Sequence, residues 1–179
     1  MKKIVLFSSL GLIVLIALGI FVMGIGYQND EVRLVNEFKA QEKKIEATHD
    51  NLWKILTEKA GVAKEYAAQF DSIYSHIMSE RYENNDKVIF NWITESNPNF
   101  SDDLYKEVSI AIEVQRKQFL SSQEKIIDIV REHNNMLDVI PAKWFIGGRE
   151  RLEWEVISSA KSKDVMNTRM DDDLKLWNK

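Results

Sequence analysis

One uncharged stretch near the start of the chain constrains the fold more than any other feature. Residues 4–25 contain no acidic or basic side chain, and two lysines precede them. A helix of this length rises roughly 33 Å, which is enough to cross the hydrocarbon core of a bilayer. The sequence therefore predicts a membrane anchor over residues 1–27. Its apolar side chains include Ile4, Leu10, Ile16, Phe21 and Ile25.

A cleavable signal peptide is the alternative interpretation of this stretch. Lys2 and Lys3 resemble the basic start of such a peptide, and Ala17-Leu18-Gly19 resembles its small-residue cleavage site. The apolar run continues as far as Ile25, however, and is longer than the apolar core of most signal peptides. This length favours a retained anchor. Because the chain has no cysteine, a lipid-modified cysteine is excluded as the anchor.

The charges on either side of the apolar stretch predict its orientation. The N-terminal side carries the α-amino group and two lysines, whereas the other side begins with Asp30 and Glu31. The positive-inside rule then keeps the N-terminus in the cytoplasm and places residues 28–179 outside it. The stretch lacks a Gly-x-x-x-Gly pattern, so any self-association is expected in the body of the protein.

The body of the protein is acidic. The net charge of the whole chain is −4, and without Lys2 and Lys3 it becomes −6. Because no basic patch with interleaved aromatic residues occurs, nucleic acid and anionic lipid headgroups are poor candidate partners.

Motifs that would carry catalysis are missing from the sequence. Without cysteine there is no thiol nucleophile, and no serine lies in a glycine-flanked nucleophile elbow. Gly147-Gly148 lacks the Lys-Ser pattern of a phosphate-binding loop and indicates a break between a helix and the tail. The sequence therefore predicts no catalytic residue and no cofactor-binding residue.

A metal site is also not predicted. Glu46 and His49 form one Glu-x-x-His motif, but a di-iron site in a helical bundle needs two such motifs and two further glutamates. His76 and His133 have no acidic residue three positions earlier. Asp171–Asp173 lacks the glycine and the downstream glutamate of an EF-hand loop. We expect a solvated helix face at Glu46 and a solvated acidic tail.

Apolar residues recur at steps of three, four or seven and predict two long amphipathic helices. The first is expected from Asp30 to about Tyr82. Gly61 is expected to bend it without ending it, since one glycine costs a helix about 1 kcal/mol. The second is expected from Asp102 to Val139, with Pro141 ending it. Neither helix can bury its apolar stripe alone.

These helices predict an all-α fold: an N-terminal transmembrane helix and then an elongated antiparallel bundle over residues 28–146. A short helix around residues 88–93 is expected to pack across the two long helices. Residues 147–179 form a separate tail. Apolar and acidic residues alternate at 152–156 and predict a short strand, which a second strand at 171–177 could pair with.

Five tryptophans are many for a chain of 179 residues. Trp53 and Trp92 are expected in the core. Trp144 and Phe145 follow the second long helix. If the two long helices are antiparallel, the end of the second lies near the start of the first and therefore near the membrane. These two aromatic residues are therefore expected either at the membrane interface or in the core. Candidate contacts with another subunit are Trp154, Val156 and Trp177.

Glu113 and Arg116 lie three positions apart on the second long helix. Two interpretations of this pair stay open. As a surface ion pair it would contribute a few tenths of a kcal/mol to stability. If buried between helices, it would instead fix the register of one helix against another.

Several short motifs follow one another in order along residues 27–146. They are Tyr27-Gln28-Asn29, Leu34-Val35, Trp53, Asn97-Pro98-Asn99-Phe100, Glu113, Arg116, Phe119, His133-Asn134 and Ile140-Pro141. In this order they resemble the LemA family, whose members have an N-terminal membrane segment and a bundle of long helices. The resemblance implies membrane association and implies no enzymatic activity.

The chain also departs from the LemA pattern. His133 stands where the family usually has tyrosine, and Ile140 stands where it usually has phenylalanine. Ile126-Ile127 replaces a Tyr-Asn pair expected one heptad earlier, and the tail from Leu152 onward lies outside the common family core.

Together these features predict a membrane-anchored, non-enzymatic scaffold or membrane-organising protein. It would act on the lipid bilayer through self-association into a homo-oligomer, or by binding another membrane protein. The alternative is a regulatory sensor or inhibitor that binds a ligand or a membrane protein through its body and tail.

Overall fold

A computed structural model describes residues 2–62, 64–79 and 84–158, together with residue 163 and residues 166–168. These residues form helices and include no strand, so the predicted all-α class is confirmed. A 3₁₀ turn at Lys64–Tyr66 separates the first two helices. The helices are α1 (Lys2–Glu58), α2 (Ala67–Ser79), α3 (Asn84–Ser96), α4 (Asp102–Asp138) and α5 (Ala142–Ile146).

The predicted anchor and the first amphipathic stripe belong to one helix. Helix α1 continues for 57 residues, from Lys2 to Glu58. It is the one helix of the described chain that is long and apolar enough to cross a membrane. Its large apolar side chains between Phe7 and Ile25 are 44–69% exposed. The described part of the protein therefore leaves this apolar surface uncovered.

The predicted end of the first long helix is wrong. Helix α1 ends at Glu58, and Gly61 has a φ of +67°, a left-handed conformation that a regular helix does not contain. Asn97 occupies the space beside this glycine: its Nδ2 donates to the carbonyl of Ala60 at 2.8 Å. Gly61 therefore ends α1, and the apolar periodicity that continues beyond it belongs to α2.

The other helix predictions agree more closely with the structure. Helix α4 covers Asp102–Asp138, one residue short of the predicted end, and Pro141 separates it from α5. Helix α3 contains the short helix predicted around residues 88–93, although it begins earlier, at Asn84. Its start is less apolar than those residues, so periodicity alone did not reveal it.

The described chain divides into two compact units. The first comprises the residues up to Glu42 with Lys125–Trp154. The second comprises Lys43–Glu124 with the described residues from Glu155 onward. Both long helices contribute residues to both units.

In the first unit, α1 and α4 pack antiparallel. Tyr27 of α1 and Met136 of α4 pack against the same buried cluster, and one turn further along α1, Glu31 approaches His133 one turn earlier on α4. The buried residues at the end of α4 and in α5 are Leu137, Ala142 and Ile146, against which Tyr27, Met136 and Phe145 pack. Helix α5 thus closes this end of the first unit.

The second unit has an aromatic core centred on Phe70, which is 1% exposed. The rings around it lie with centroids 5.1–6.4 Å from its own and belong to His49, Trp53, Tyr74 and Trp92. Such pairs add about 0.5–1.5 kcal/mol each beyond area burial. Burial also raises the pKa of the Tyr74 hydroxyl. Trp92 is buried as predicted, whereas Trp53 is half-buried.

The predicted strand at residues 152–156 is wrong, since this segment has neither helix nor strand. Leu152 and Trp154 are half-buried while Glu153 and Glu155 are exposed, so burial follows the sequence alternation as far as Glu155, and Val156 is exposed. The backbone of Leu152 is paired with the side chain of Asn134 on α4 rather than with a second strand. The predicted strand at 171–177 lies outside the described residues.

Candidate functional site

The corner between α4 and α5 is attached to α1 by Phe145. Its ring stacks on Tyr27, with centroids 5.9 Å apart and planes 20° apart. A Cβ atom at Gly24 would lie 2.8 Å from Cδ1 of Phe145, so the glycine leaves the space that the ring needs. The neighbouring Trp144 is 72% exposed. The two predicted interface residues therefore differ: Phe145 packs on α1 and Trp144 faces outward.

Two polar side chains meet in the interior of the first unit. His133 is 1% exposed and Glu31 is 8% exposed. His133 Nε2 lies 3.7 Å from Glu31 Oε1, an ion-pair distance, and His133 Nδ1 lies 3.3 Å from Asn134 Oδ1. The Nδ1 contact is a hydrogen bond, whereas Nε2 lies beside the carboxyl group without a hydrogen-bond partner among the described residues.

A second, exposed set of charges joins the same two helices. Arg33 of α1 lies 3.0 Å from Glu37 and 3.6 Å from Asp30 on its own helix, and 3.9 Å from Glu132 of α4. The hydrogen bond to Glu37 is the main cause of the raised pKa of Arg33. Because all of these side chains are solvated, their contribution to stability is small beside that of the buried pair.

Amide side chains of α4 bind the backbone of the tail in each unit. In the first unit, Asn134 Nδ2 donates to the carbonyl of Leu152 at 2.9 Å, and the Leu152 N–H donates to Asn134 Oδ1 at 3.1 Å. In the second, Gln123 makes the same two bonds with Ile157, at 3.1 and 2.7 Å. Each amide thereby supplies the donor and acceptor that a neighbouring strand would otherwise supply.

Further contacts hold the tail in the first unit. Arg151 donates to the carboxylate of Asp138 at 2.6–2.7 Å. The ring of Trp154 meets the edge of Phe38 with centroids 6.2 Å apart. Trp154 therefore packs on its own chain, whereas Val156 is 42% exposed. The remaining predicted subunit contact, Trp177, lies outside the described residues.

Arg116 is the most buried cation of the second unit that the structure describes, with 10% of its side chain exposed. Its Nε donates to the carbonyl of Ile77 at 2.8 Å. Ile77 lies in the last turn of α2, where carbonyls lack an intrahelical partner, so Arg116 caps that helix. Glu113 is half-exposed and 3.6 Å from Arg116. The guanidinium thus joins α4 to α2, and Glu113 lies at its solvent side.

The histidines and acidic residues of the described chain include no group of three or more that could hold a metal ion. His49 Nε2 lies 3.0 Å from Asp71 Oδ1, and the ring packs against Tyr74. The side chain of His76 and residues 171–173 lie outside what the structure describes.

The contacts of four residues in this region were missed by sequence reasoning, namely those of Gly24, Glu31, Gln123 and Asn134. A signal for two of them was present. Glu31 precedes Leu34 and Phe38 on one apolar stripe, and Gln123 lies between Phe119 and Ile126 on another. A polar residue within an apolar stripe faces the interior, where buried polar side chains generally have a polar partner. Gly24 and Asn134 carry no such local signal.

Comparison with known proteins finds no relative of this chain. No family model, curated protein or solved structure matches the chain. Its function therefore has to be argued from the exposed apolar surfaces and the buried polar contacts described above.

The pairing of Asn134 with Leu152 leads to a prediction with a matched control. Asn134→Ala removes both bonds and leaves the two backbone groups of Leu152 unpaired, at a cost of about 1–3 kcal/mol. Amide exchange across residues 149–156, followed by mass spectrometry, should therefore quicken. Asn135→Ala alters the neighbouring exposed asparagine and should leave the exchange unchanged. Equal exchange in the two variants would contradict the assignment.

Proposed function

We propose that this protein is a membrane-anchored, non-enzymatic scaffold that organises its membrane by self-association or by holding another membrane protein. The observation that carries the proposal is the apolar surface of α1, whose large side chains between Phe7 and Ile25 are 44–69% exposed. A surface of this size needs lipid or protein to cover it, and its length suits a bilayer. The resemblance to LemA proteins supports the same assignment.

The continuity of α1 supports a structural role for the anchor. The same helix carries the exposed apolar residues and then Glu31, Leu34 and Phe38 of the first unit's interior. Because no loop intervenes, the direction of the membrane segment is transmitted to the packed residues. The flanking charges support a cytoplasmic N-terminus and an extracytoplasmic body.

Self-association is supported by an exposed apolar pair on α4. Ile110 and Val114 are 57% and 53% exposed and lie one helical turn apart. Residues at this spacing share one face of a helix. A second copy of the chain, or a partner with a similar face, would remove both side chains from water.

The mass of the complex in membranes tests the proposal. The full chain is crosslinked in its membrane, extracted into lipid nanodiscs and weighed. We expect a homo-oligomer or a complex with a second membrane protein. The double variant Ile110→Ser with Val114→Ser should raise the dissociation constant of the complex at least tenfold. The control double variant, Lys106→Ser with Lys117→Ser on the same helix, should not. A strictly monomeric chain without a partner would refute the scaffold function.

The tail favours a second candidate function, that of a regulatory sensor or inhibitor. Its backbone is held by Asn134 and Gln123 through hydrogen bonds that water can replace, so it can be released for binding a partner. Deletion of residues 150–179 separates the two functions. Loss of partner capture with an intact helical body supports the regulator, whereas loss of assembly supports the scaffold.

A further inference from the structure

Three apolar side chains at the corner between α4 and α5 are strongly exposed. Val139 is 59%, Ile140 is 60% and Trp144 is 72% exposed. The adjacent Ala142 and Ile146 are buried in the first unit, so the corner is folded and packed on its inner side. When large apolar residues are exposed together beside a packed core, they mark a surface that a lipid bilayer or another molecule covers.

The packing of Phe145 shows which residues of α1 lie beside this corner. Its ring lies over Gly24, within the uncharged stretch, and stacks on Tyr27 just beyond the end of that stretch. Gly24 and the last apolar residue, Ile25, are separated by about 1.5 Å along the helix axis. When the stretch lies in a bilayer, the corner is therefore at the bilayer boundary.

A surface groove beside the corner changes from polar to apolar along α4. The residues that line it, in order along the chain, include Asp128, Arg131, Glu132 and Met136 of α4 and then Ile140 and Pro141 of the corner. The polar members come first and the apolar members last, on the side of the corner. This is the same direction of change that a bilayer presents from its headgroups to its acyl chains.

We propose that the corner is a second membrane-contact site, which inserts Ile140 and Trp144 into the interface of the bilayer that α1 crosses. The proposal rests on the membrane-anchored function above. Tryptophan is suited to this position because its ring is apolar and its N–H can reach water. Lys143, between them, can extend its ammonium group to the headgroups. Two contacts with one bilayer restrict rotation of the first unit about α1.

Single-cysteine labelling tests this site cleanly, since the chain contains no cysteine of its own. Ile140→Cys and Trp144→Cys are compared with Phe21→Cys in the predicted span and with Asp128→Cys on α4. The full chain is spin-labelled and reconstituted in phosphatidylcholine vesicles. Collision rates with oxygen, which enters lipid, and with a water-soluble nickel chelate are measured. We expect labels at 140 and 144 to meet nickel several-fold less often than the label at 128, and oxygen more often.

The four positions separate the two proposals. A label at Phe21 that is open to nickel refutes the anchor and, with it, the proposed function. The second contact alone is refuted if the label at Phe21 lies in lipid while the labels at 140 and 144 meet nickel as often as the label at 128. A third outcome is that the labels at 140 and 144 are shielded from both reagents and show spin–spin broadening, which dilution with unlabelled chain removes. That outcome shows a second copy of the chain at the corner and also refutes the membrane contact. Val139→Cys replaces either corner variant whose helicity is altered.

Discussion

Replacing His133 by leucine is expected to lower the free energy of unfolding by about 1–3 kcal/mol, because it removes the hydrogen bond with Asn134 and leaves the carboxyl group of Glu31 buried beside an apolar side chain. The imidazole is 1% exposed and its Nε2 lies 3.7 Å from Glu31 Oε1. Urea unfolding of the full chain in detergent micelles, followed by far-ultraviolet circular dichroism, measures this loss.

A double variant separates loss of the pair from loss of packing. Glu31→Leu with His133→Leu removes both polar groups, and replacing both partners of a buried polar contact by apolar groups of similar shape is often nearly neutral. We expect the double variant to regain most of the stability lost in His133→Leu. Glu132→Ala changes an exposed neighbour and should alter stability by less than about 0.5 kcal/mol. Additive losses in the double variant would show that Glu31 and His133 do not interact.

Replacing Arg116 by methionine is expected to have the second large effect, which is to lower the free energy of unfolding by about 2–3 kcal/mol. Methionine retains much of the apolar stem but removes the hydrogen bond from Nε to the carbonyl of Ile77, which is 2.8 Å long. A bond to a charged group contributes about 1.5–3 kcal/mol, and the carbonyl left behind is unpaired in the interior. Amide exchange within α2 should quicken in the same variant, since its last turn loses its cap.

The controls distinguish the two interpretations of the Glu113–Arg116 pair. Glu113→Gln should cost less than about 0.5 kcal/mol, because Glu113 is half-exposed and its ion pair is solvated. Lys117→Ala, at the next position on α4 after Arg116, removes an exposed cation and should be equally mild. If Glu113→Gln costs as much as Arg116→Met, the ion pair rather than the bond to Ile77 sets the register.

The positions behind the LemA resemblance coincide with packing positions of this structure. Arg116 caps α2, Phe119 contacts Tyr74, and His133 with Asn134 joins α1 and the tail to α4. Membership of that family stays a proposal. In this chain, these residues specify how the long helices pack against one another.

The sequence predicted α4 and the apolar part of α1 well because both depend on local properties. Length, charge and periodicity over neighbouring residues determine whether a helix forms and which face is apolar. The end of α1 was predicted wrongly because periodicity continues through Gly61, while the positive φ and the space beside it depend on Asn97. The strand at 152–156 was predicted wrongly because its alternation faces a helix rather than a sheet.

The candidate site was only partly predictable. Trp144 and Phe145 were recognised as a pair, but Gly24, which makes room for one of them, lies in a different element. Arg116 was recognised without its acceptor, Ile77, which lies 39 positions earlier in the chain. His133 was considered as a metal ligand, and its partner Glu31 was not.

The sequence by itself determined that this chain is helical, that residues 4–25 are long and apolar enough to span a bilayer, and that the body is acidic. These properties follow from composition and spacing along the chain. Only the tertiary structure decided that Glu31 meets His133, that Arg116 meets Ile77, and that Asn134 holds the tail. The physical reason is that a polar side chain acquires its partner through burial, and burial is decided by residues distant in the sequence.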